Sequence, residues 1–420
     1  MIGFSRLPSE DLPKIYKQNN FVGFDAWTVQ EIQNAQRDQE EGLFFNPGLL
    51  AQWMLRDGRL ASVMDTRIMG ILGNELNVSV EAEGEMSELI SSSLEERWFD
   101  ILPEGVQHEI MTWSILCGYA VAQIEWIDTG GLGVIRWMPK IKVWHPSWIR
   151  YDEWRRVWLA QTMTGEKVIT PGDGRWALFL PYGDFGYRRA KLLSLAIPVL
   201  VRSFSWIDWS DFNDTLAHAV KLAIVPSGAD KDTDNTSTGT PAKTTYLNNV
   251  KNLGRTTDTL IVEKNTDNSG FGYDIVEASG QGRESFAEAQ EKASLEIAIG
   301  ILGQNLTTEI SRGGSFAAEK GHESVRQDIK EFDNEFFSTA VRAQITKPLV
   351  EFNFGEQHKV PWIKYNVSPP DNLSQEAKTM ADLSIAVEGI NRILPADKKV
   401  DVDALLTKFG VPTIEVDDAE

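Results

Sequence analysis

The chain has 420 residues, 42% hydrophobic and 24% charged, which is too long for one small core and too apolar for disorder to be the default reading. Its net charge of −20 argues against ordinary nucleic-acid binding, which depends on Lys and Arg displacing counterions from phosphates. Cys117 is the single cysteine, so no intrachain disulfide can form, and the start MIGFSRLPSE lacks the charged and apolar regions of a signal peptide.

Residues 1–45 are predicted to form an extended arm with a short helix near 28–40. Asn46 and Pro47 read as a helix start, Asn as cap and Pro at the first helical position, with Leu49, Leu50, Trp53 and Met54 on one face. Asp57-Gly58 breaks this helix. Leu60, Val63, Met64, Arg67, Ile68 and Ile71 then predict a second one, stopping near Gly73. Glutamate-rich 81–100 predicts a surface helix, and 108–117 a helix with an apolar face ending at Gly118. From Tyr119 the period changes to two. AVAQIEWID (120–128), GVIRWMPKI (133–141), WIRYDEW (148–154), RVWLAQT (156–162) and RWALFLPY (175–182) predict a mostly antiparallel sheet with hairpin connections.

A helix over 187–218 follows, led by Arg188, Arg189 and Lys191 and kinked at Pro198, with Trp206, Trp209 and Phe212 continuing its apolar face. Within it, LLSLAIPVLV (192–201) is the nearest approach to a membrane span, at half of the ~20 residues required. A strand is expected at 219–226. SGADKDTDNTSTGTPAK (227–243) has almost nothing apolar and reads as a loop. Next come a short helix (244–254), a strand (258–264), a turn (265–270) and a strand (271–278).

Residues 283–302 and 315–344 are the two long helical patterns around which the rest is arranged. Phe286, Ala289, Ala293, Ile297 and Ile301 recur every three or four residues in the first. Phe316, Val325, Ile329, Phe332, Phe336, Ala340 and Ala343 do so in the second. The break between them, GQNLTTEISRGG (303–314), exceeds the roughly two to eight residues usual between helices. Gly303, Gly313 and Gly314 permit backbone shapes closed to other residues. Gln304, Asn305, Thr307, Thr308 and Arg312 offer neutral hydrogen bonds and one charge. A strand at 361–367, a boundary at Pro369-Pro370, helices over 373–409 and an acidic end EVDDAE (415–420) complete the reading.

Catalytic chemistry finds no pattern to rest on. Asp230, Asp232 and Asp234 open like a calcium loop, but Asn235 stands at its glycine position and Pro241 at its bidentate glutamate. TGTPAKTT (238–245) lacks the glycine before Lys243 that a phosphate loop needs. His322-Glu323 would be followed at the second zinc position by Arg326. Ser315, after Gly313, reads as a helix cap rather than a nucleophile, with Glu319 complementing the positive helix end. No metal, cofactor or enzymatic activity is expected.

One resemblance covers most of the chain. It is carried by IGILGQNLTTEISRGGSFAAEKGHESVRQDI (299–329), LVEFNFG (349–355), YLNNVKNLGRTTDTLIV (246–262) and DGRLASVMDTRIMGILG (57–73). As an ordered set these resemble the portal proteins of tailed bacteriophages, in the branch that includes phage Mu. Asn305 stands where Thr is usual, and Gly321-His322 where Val-His is usual.

The resemblance implies an α+β portal-type fold. Its parts would be an N-terminal arm (1–45), an α+β wing (46–186), a first stem helix (187–218), a small α/β clip (219–280) and a second stem helix (281–302). A tunnel loop (303–314), a long kinked helix with wing return (315–368) and a helical crown with acidic tail (369–420) would follow. It further implies a ring, typically of twelve subunits, at one capsid vertex of the virion, made in the host cytoplasm. The ring would be the conduit for double-stranded DNA packaging and ejection and would dock the terminase large subunit and a head–tail connector. Major capsid and scaffolding proteins are further partners; no membrane is. Gly303, Gln304, Asn305, Leu306, Thr307, Thr308, Arg312, Gly313 and Gly314 would form the DNA-facing loop, and Lys243, Lys251 and Arg255 are candidates for motor docking. An acidic channel would let DNA pass without adhering, over a Debye length of roughly 8–10 Å. The alternative is another ring-forming head–tail adaptor or capsid structural protein.

Overall fold

The computed structural model describes residues 27–130, 134–215, 220–226, 259–264, 272–276, 281–303 and 316–367, with Ile385 and Val387. The chain divides into two units, Met1–Val367 and Ser368–Glu420. The helices expected at 373–409 and the acidic end belong to the second unit and lie outside the described residues, apart from helical Ile385 and Val387.

The first helix, α1 (Val29–Glu40), starts at a capping box, with Thr28 accepting from the Glu31 N–H and Glu31 accepting from that of Thr28. Its Ile32, Ala35 and Gln39 are buried. The Gln39 amide donates to the carbonyls of Cys117 and Tyr187, each at 2.9 Å. Residues 29–45 are therefore part of the body and not an extended arm. In α2 (Phe45–Met54) the cap position is Phe44, which makes no side-chain cap. Asn46, expected to cap, lies inside the helix and donates to Asp38 at 2.8 Å. Asp57 caps α3 (Gly58–Leu72), accepting from the N–H groups of Arg59 and Leu60. Two further helices, α4 (Glu85–Ile101) and α5 (Glu104–Cys117), follow the short strand β1 (Leu76–Val78). Burial pushes the Cys117 thiol far above its ordinary pKa, so it packs as a small hydrophobe.

The strands between residues 120 and 179 form two antiparallel sheets, where the sequence pattern suggested one. The first has the order β3–β2–β7, from β2 (Ala120–Asp128), β3 (Trp137–Trp144) and β7 (Trp176–Phe179). The second is β4–β5–β6, from β4 (Ile149–Asp152), β5 (Val157–Thr162) and β6 (Gly165–Ile169). Strand β3 begins at Trp137 rather than near 133, and β6 was not expected: only its Ile169 is buried, so no alternation marks it. Aromatic rings join the second sheet to the helices, with Phe44 4.4 Å from Tyr119 and Trp158 5.0 Å from both Tyr119 and Tyr151.

Residues Gly186–Arg189 form a 3₁₀ turn, so Arg188 and Arg189 precede α6 (Lys191–Thr215). Pro198 lies within α6. The stretch Gly186–Ile207 has the length and apolarity of a membrane span. Leu192, Leu195, Ala196, Val199 and Leu200 from it are nonetheless buried in the protein core. Trp206 is 52% exposed and does not continue the buried face as expected. Beyond α6, β8 (Val220–Pro226) is the centre of a three-stranded sheet, parallel to β9 (Thr259–Lys264) and antiparallel to β10 (Gly272–Val276). Strands β9 and β10 flank β8 and are not neighbours in the sheet.

Two long helices follow, α7 (Gln281–Leu302) and α8 (Phe316–Val341). A π turn (Arg342–Thr346) then leads directly into α9 (Lys347–Phe354). Pro348, which has no N–H to return to the preceding turn, sits at the start of α9. Along this rod three side-chain amides act as backbone substitutes at strand edges. On the π turn, Gln344 accepts from the Leu178 N–H and donates to the Leu178 carbonyl, both at 2.7 Å, closing the free edge of β7. Asn353 accepts from the Arg136 and Trp137 N–H groups and donates to the Trp137 carbonyl, closing the edge of β3. Asn334 does the same for Tyr365 on β11 (Ile363–Tyr365), the partner of β1. An open strand edge is a row of unmet donors and acceptors; here one helical rod meets them.

Replacing Gln344 by Leu strands the buried Leu178 N–H and carbonyl, and the unfolding midpoint should fall by an amount corresponding to about 2 kcal/mol. Chemical or thermal denaturation checks this; an unchanged midpoint would show that the clamp does not stabilise the fold.

Candidate functional site

The candidate site is the base from which the 303–314 loop leaves the body. Most of that loop, with Gln304, Asn305, Leu306, Thr307, Thr308, Arg312, Gly313 and Gly314, lies outside the described residues, as does Ser315. Both of its anchoring helices are described.

The α7 stripe packs between α6 and α3. Ala293, Ile297 and Ile301 are buried, while Phe286 and Ala289 are half-buried toward the start of the helix. Close approach to α6 depends on Gly300, where a Cβ would stand 2.6 Å from Leu195 Cδ2. Arg202 of α6 donates to Asp57 at 2.9 Å and to the Ser294 hydroxyl of α7. The cap of α3 thus also pairs with the charge that joins α6 and α7.

At the end of α7, Gly303 adopts φ 71° and its N–H bonds to the Ile299 carbonyl at 2.9 Å. A Cβ there would meet Ile329 Cδ1 at 3.0 Å and Val325 Cγ1 at 3.1 Å, both on α8. Glycine suits this position twice over, by conformation and by space.

One buried group ties the whole base together. Arg67 of α3 forms a two-point ion pair with Asp333 of α8, Nε to Oδ2 at 2.6 Å and Nη2 to Oδ1 at 2.9 Å. Its Nη1 donates to the Ile301 carbonyl at 2.8 Å, on the last turn of α7. Arg67 is 7% exposed and Asp333 1%. Burial works to lower the Arg67 pKa, but the hydrogen bonds and charge of Asp333, with a smaller contribution from Tyr182, outweigh it and hold the pKa above its ordinary value. Burial and the nearby charge of Arg67 depress the pKa of Lys191, at the start of α6. The helix entering the loop and the helix leaving it are therefore gripped by the same guanidinium. It supplies no reactive group, only a fixed footing.

The residues of this grip were missed as site residues in the sequence, although one signal was present: Arg67 falls on the apolar stripe of α3. Lys243, Lys251 and Arg255, and the aspartates 230, 232 and 234, lie outside the described residues. Among the described residues no group of three or more His, Cys, Asp or Glu could hold a metal ion.

A family model described as the portal protein of Mu bacteriophage matches residues 49–411. The chain belongs to this portal protein family. It is a structural family, and the role that follows from membership is that of the packaging conduit at the capsid vertex. The portal protein of Escherichia phage Mu is 20% identical over 424 residues, a match covering 95% of this chain and 77% of that protein. Among solved structures, the neck of an empty GTA particle, computed with C6 symmetry, aligns at TM-score 0.49 and 13% identity, covering 92% of this chain and 95% of that one. An HK97 family phage portal protein from Corynebacterium diphtheriae aligns at TM-score 0.39 and 10% identity, covering 75% and 94%. The described residues carry a mixed α+β fold, as the resemblance implied.

Arg67→Met or Asp333→Leu alone should cost about 3–5 kcal/mol, because each leaves a buried charge without its partner, and the double variant should recover most of it. Gly303→Ala should cost about 1–2 kcal/mol from the left-handed backbone alone. Denaturation of the four variants checks both; a double variant as unstable as the singles would show that the ion pair is not an isolated unit.

Proposed function

We propose that copies of this chain close into a ring, of twelve subunits as is typical of the family, around a bore that carries double-stranded DNA. The reading is supported by the shared footing of α7 and α8: the helix that enters this long loop and the helix that follows it are tied to the same buried Arg67. In this reading 303–314 is the tunnel loop, and its neutral side chains with Arg312 make weak, replaceable contacts with passing phosphates. The net charge of −20 favours transit over adhesion, since like charges repel within a Debye length.

In the same reading α6 and α7, which pack on each other, are the stem. The β8–β10 sheet, lying between them in sequence, belongs to the clip that meets the terminase large subunit and later the head–tail connector. Lys243, Lys251 and Arg255 are its candidate polar contacts. The body of α1–α5 and the two antiparallel sheets is the wing, and 369–420 the crown with its acidic tail; major capsid and scaffolding proteins are further partners of the ring. The subunit is made in the host cytoplasm, resides at the portal vertex and carries out no bond chemistry.

Negative-stain microscopy of the purified protein should show channelled rings; a closed monomer would refute the reading. Arg312→Glu should reduce DNA packaging or retention in particles while leaving ring yield unchanged. Normal packaging and retention would exclude loop–DNA contact. Ile297→Asp, by contrast, should abolish folding or ring assembly, since it places a carboxylate in the α3–α6–α7 core.

A further inference from the structure

The structure carries two exposed patches of opposite character, on separate parts of the body. The first is the turn between β4 and β5. Trp154 at its tip is 98% exposed, with exposed Arg155 and Arg156 following it. This turn is built rather than loose. The Asp152 carboxylate accepts from the Trp154 and Arg155 N–H groups at 3.1 Å each, and Glu153 is held by Arg188 and by the Tyr187 hydroxyl. The backbone of the turn is held, and an indole in full contact with water contributes no packing within its own subunit. Large aromatic side chains with neighbouring arginines are the residue types that anchor protein interfaces.

The second patch is the outer face of α4, which packs on β1 and β3 through its opposite side. Met86, Leu89 and Phe99 are 45%, 40% and 49% exposed on that face. They lie among the exposed carboxylates of Glu85, Glu88, Glu95 and Glu96. Apolar side chains spaced along this helix among acids are the complement of an indole followed by two guanidinium groups, in charge and in apolar character alike.

We propose that the Trp154–Arg156 turn of one subunit docks on the outer face of α4 of a second copy of this chain. The two patches differ, so the contact is head-to-tail, the kind that generates a closed ring when the rotation between copies closes. The proposal rests on the ring reading above and names the contact that would build the ring. Charge complementarity also fixes the register, because a turn meeting another turn, or α4 meeting α4, would oppose like charges.

The test compares ring assembly of the full chain by light scattering and negative-stain microscopy. Trp154→Ala, and Arg155→Glu with Arg156→Glu, should weaken assembly by about tenfold or more while leaving the melting temperature unchanged. Adding Glu95→Arg and Glu96→Arg to the charge-reversed turn should restore rings. In a parallel measurement, Trp154→Cys with Leu89→Cys should give intersubunit disulfides under oxidation, Cys117 being buried. Wild-type rings that persist at normal yield in the turn variants, with no cross-link, overturn this contact and leave the ring standing. A wild type that remains monomeric overturns the ring reading and the contact with it.

Discussion

The fold depends on one buried charge pair. Arg67 and Asp333 are taken almost wholly out of water, a transfer that is costly unless geometry and hydrogen bonding are nearly complete. Here they are: two parallel bonds join guanidinium and carboxylate, and the remaining Nη1 finds the Ile301 carbonyl. That carbonyl belongs to the last turn of α7, where the helix itself supplies no partner. The pair meets its own requirement and that of a helix end in one arrangement. Any other packing of α3, α7 and α8 would leave a buried ion exposed to neither water nor partner, so the three helices have a single relative placement.

A second polar device extends this order across the body. Helices commonly pack on sheets through an apolar stripe, and Phe337 and Val341 of α8 are buried in that manner. Asn334, Gln344 and Asn353 add what a greasy stripe cannot, namely direction. Each amide takes the place of a neighbouring strand, and a shift of one residue would break its bonds to that strand. The π turn sets Gln344 against Leu178 without interrupting the rod. Of the LVEFNFG run that carried the family resemblance, Asn353 is thereby given a physical purpose: it seals β3 while Phe354 packs on the core and Gly355 ends α9.

These polar locks suit a portal subunit. A conduit wall has to hold its shape while a charged polymer moves past it, and hydrophobic contact alone permits sliding. Directional bonds at buried sites resist it, because an unpaired buried donor or ion is far more expensive than a displaced methyl group. In the proposed function the strong acidity of the chain is a surface property that serves repulsion of DNA and recognition between copies, while the buried ion pair of Arg67 and Asp333 stays matched in the interior.

The amino-acid sequence by itself determined the elements with strong local signatures: the stripes of α3 and α7, the helix end at Gly118 and the strands from Tyr119 onward. Those follow from periodicity and turn chemistry, which act over a few residues. The family was also legible there, through the order of its motifs. What only the tertiary structure decided was partnership. Asn46 looked like a cap and became a partner of Asp38; α1 looked like part of an arm and was drawn into the body by Gln39. The strands divided into two sheets, and β9 and β10 took opposite sides of β8. Arg67 on an apolar stripe announced a buried charge but could not announce Asp333, 266 positions away, because hydrogen-bond geometry and desolvation are settled only when distant segments meet.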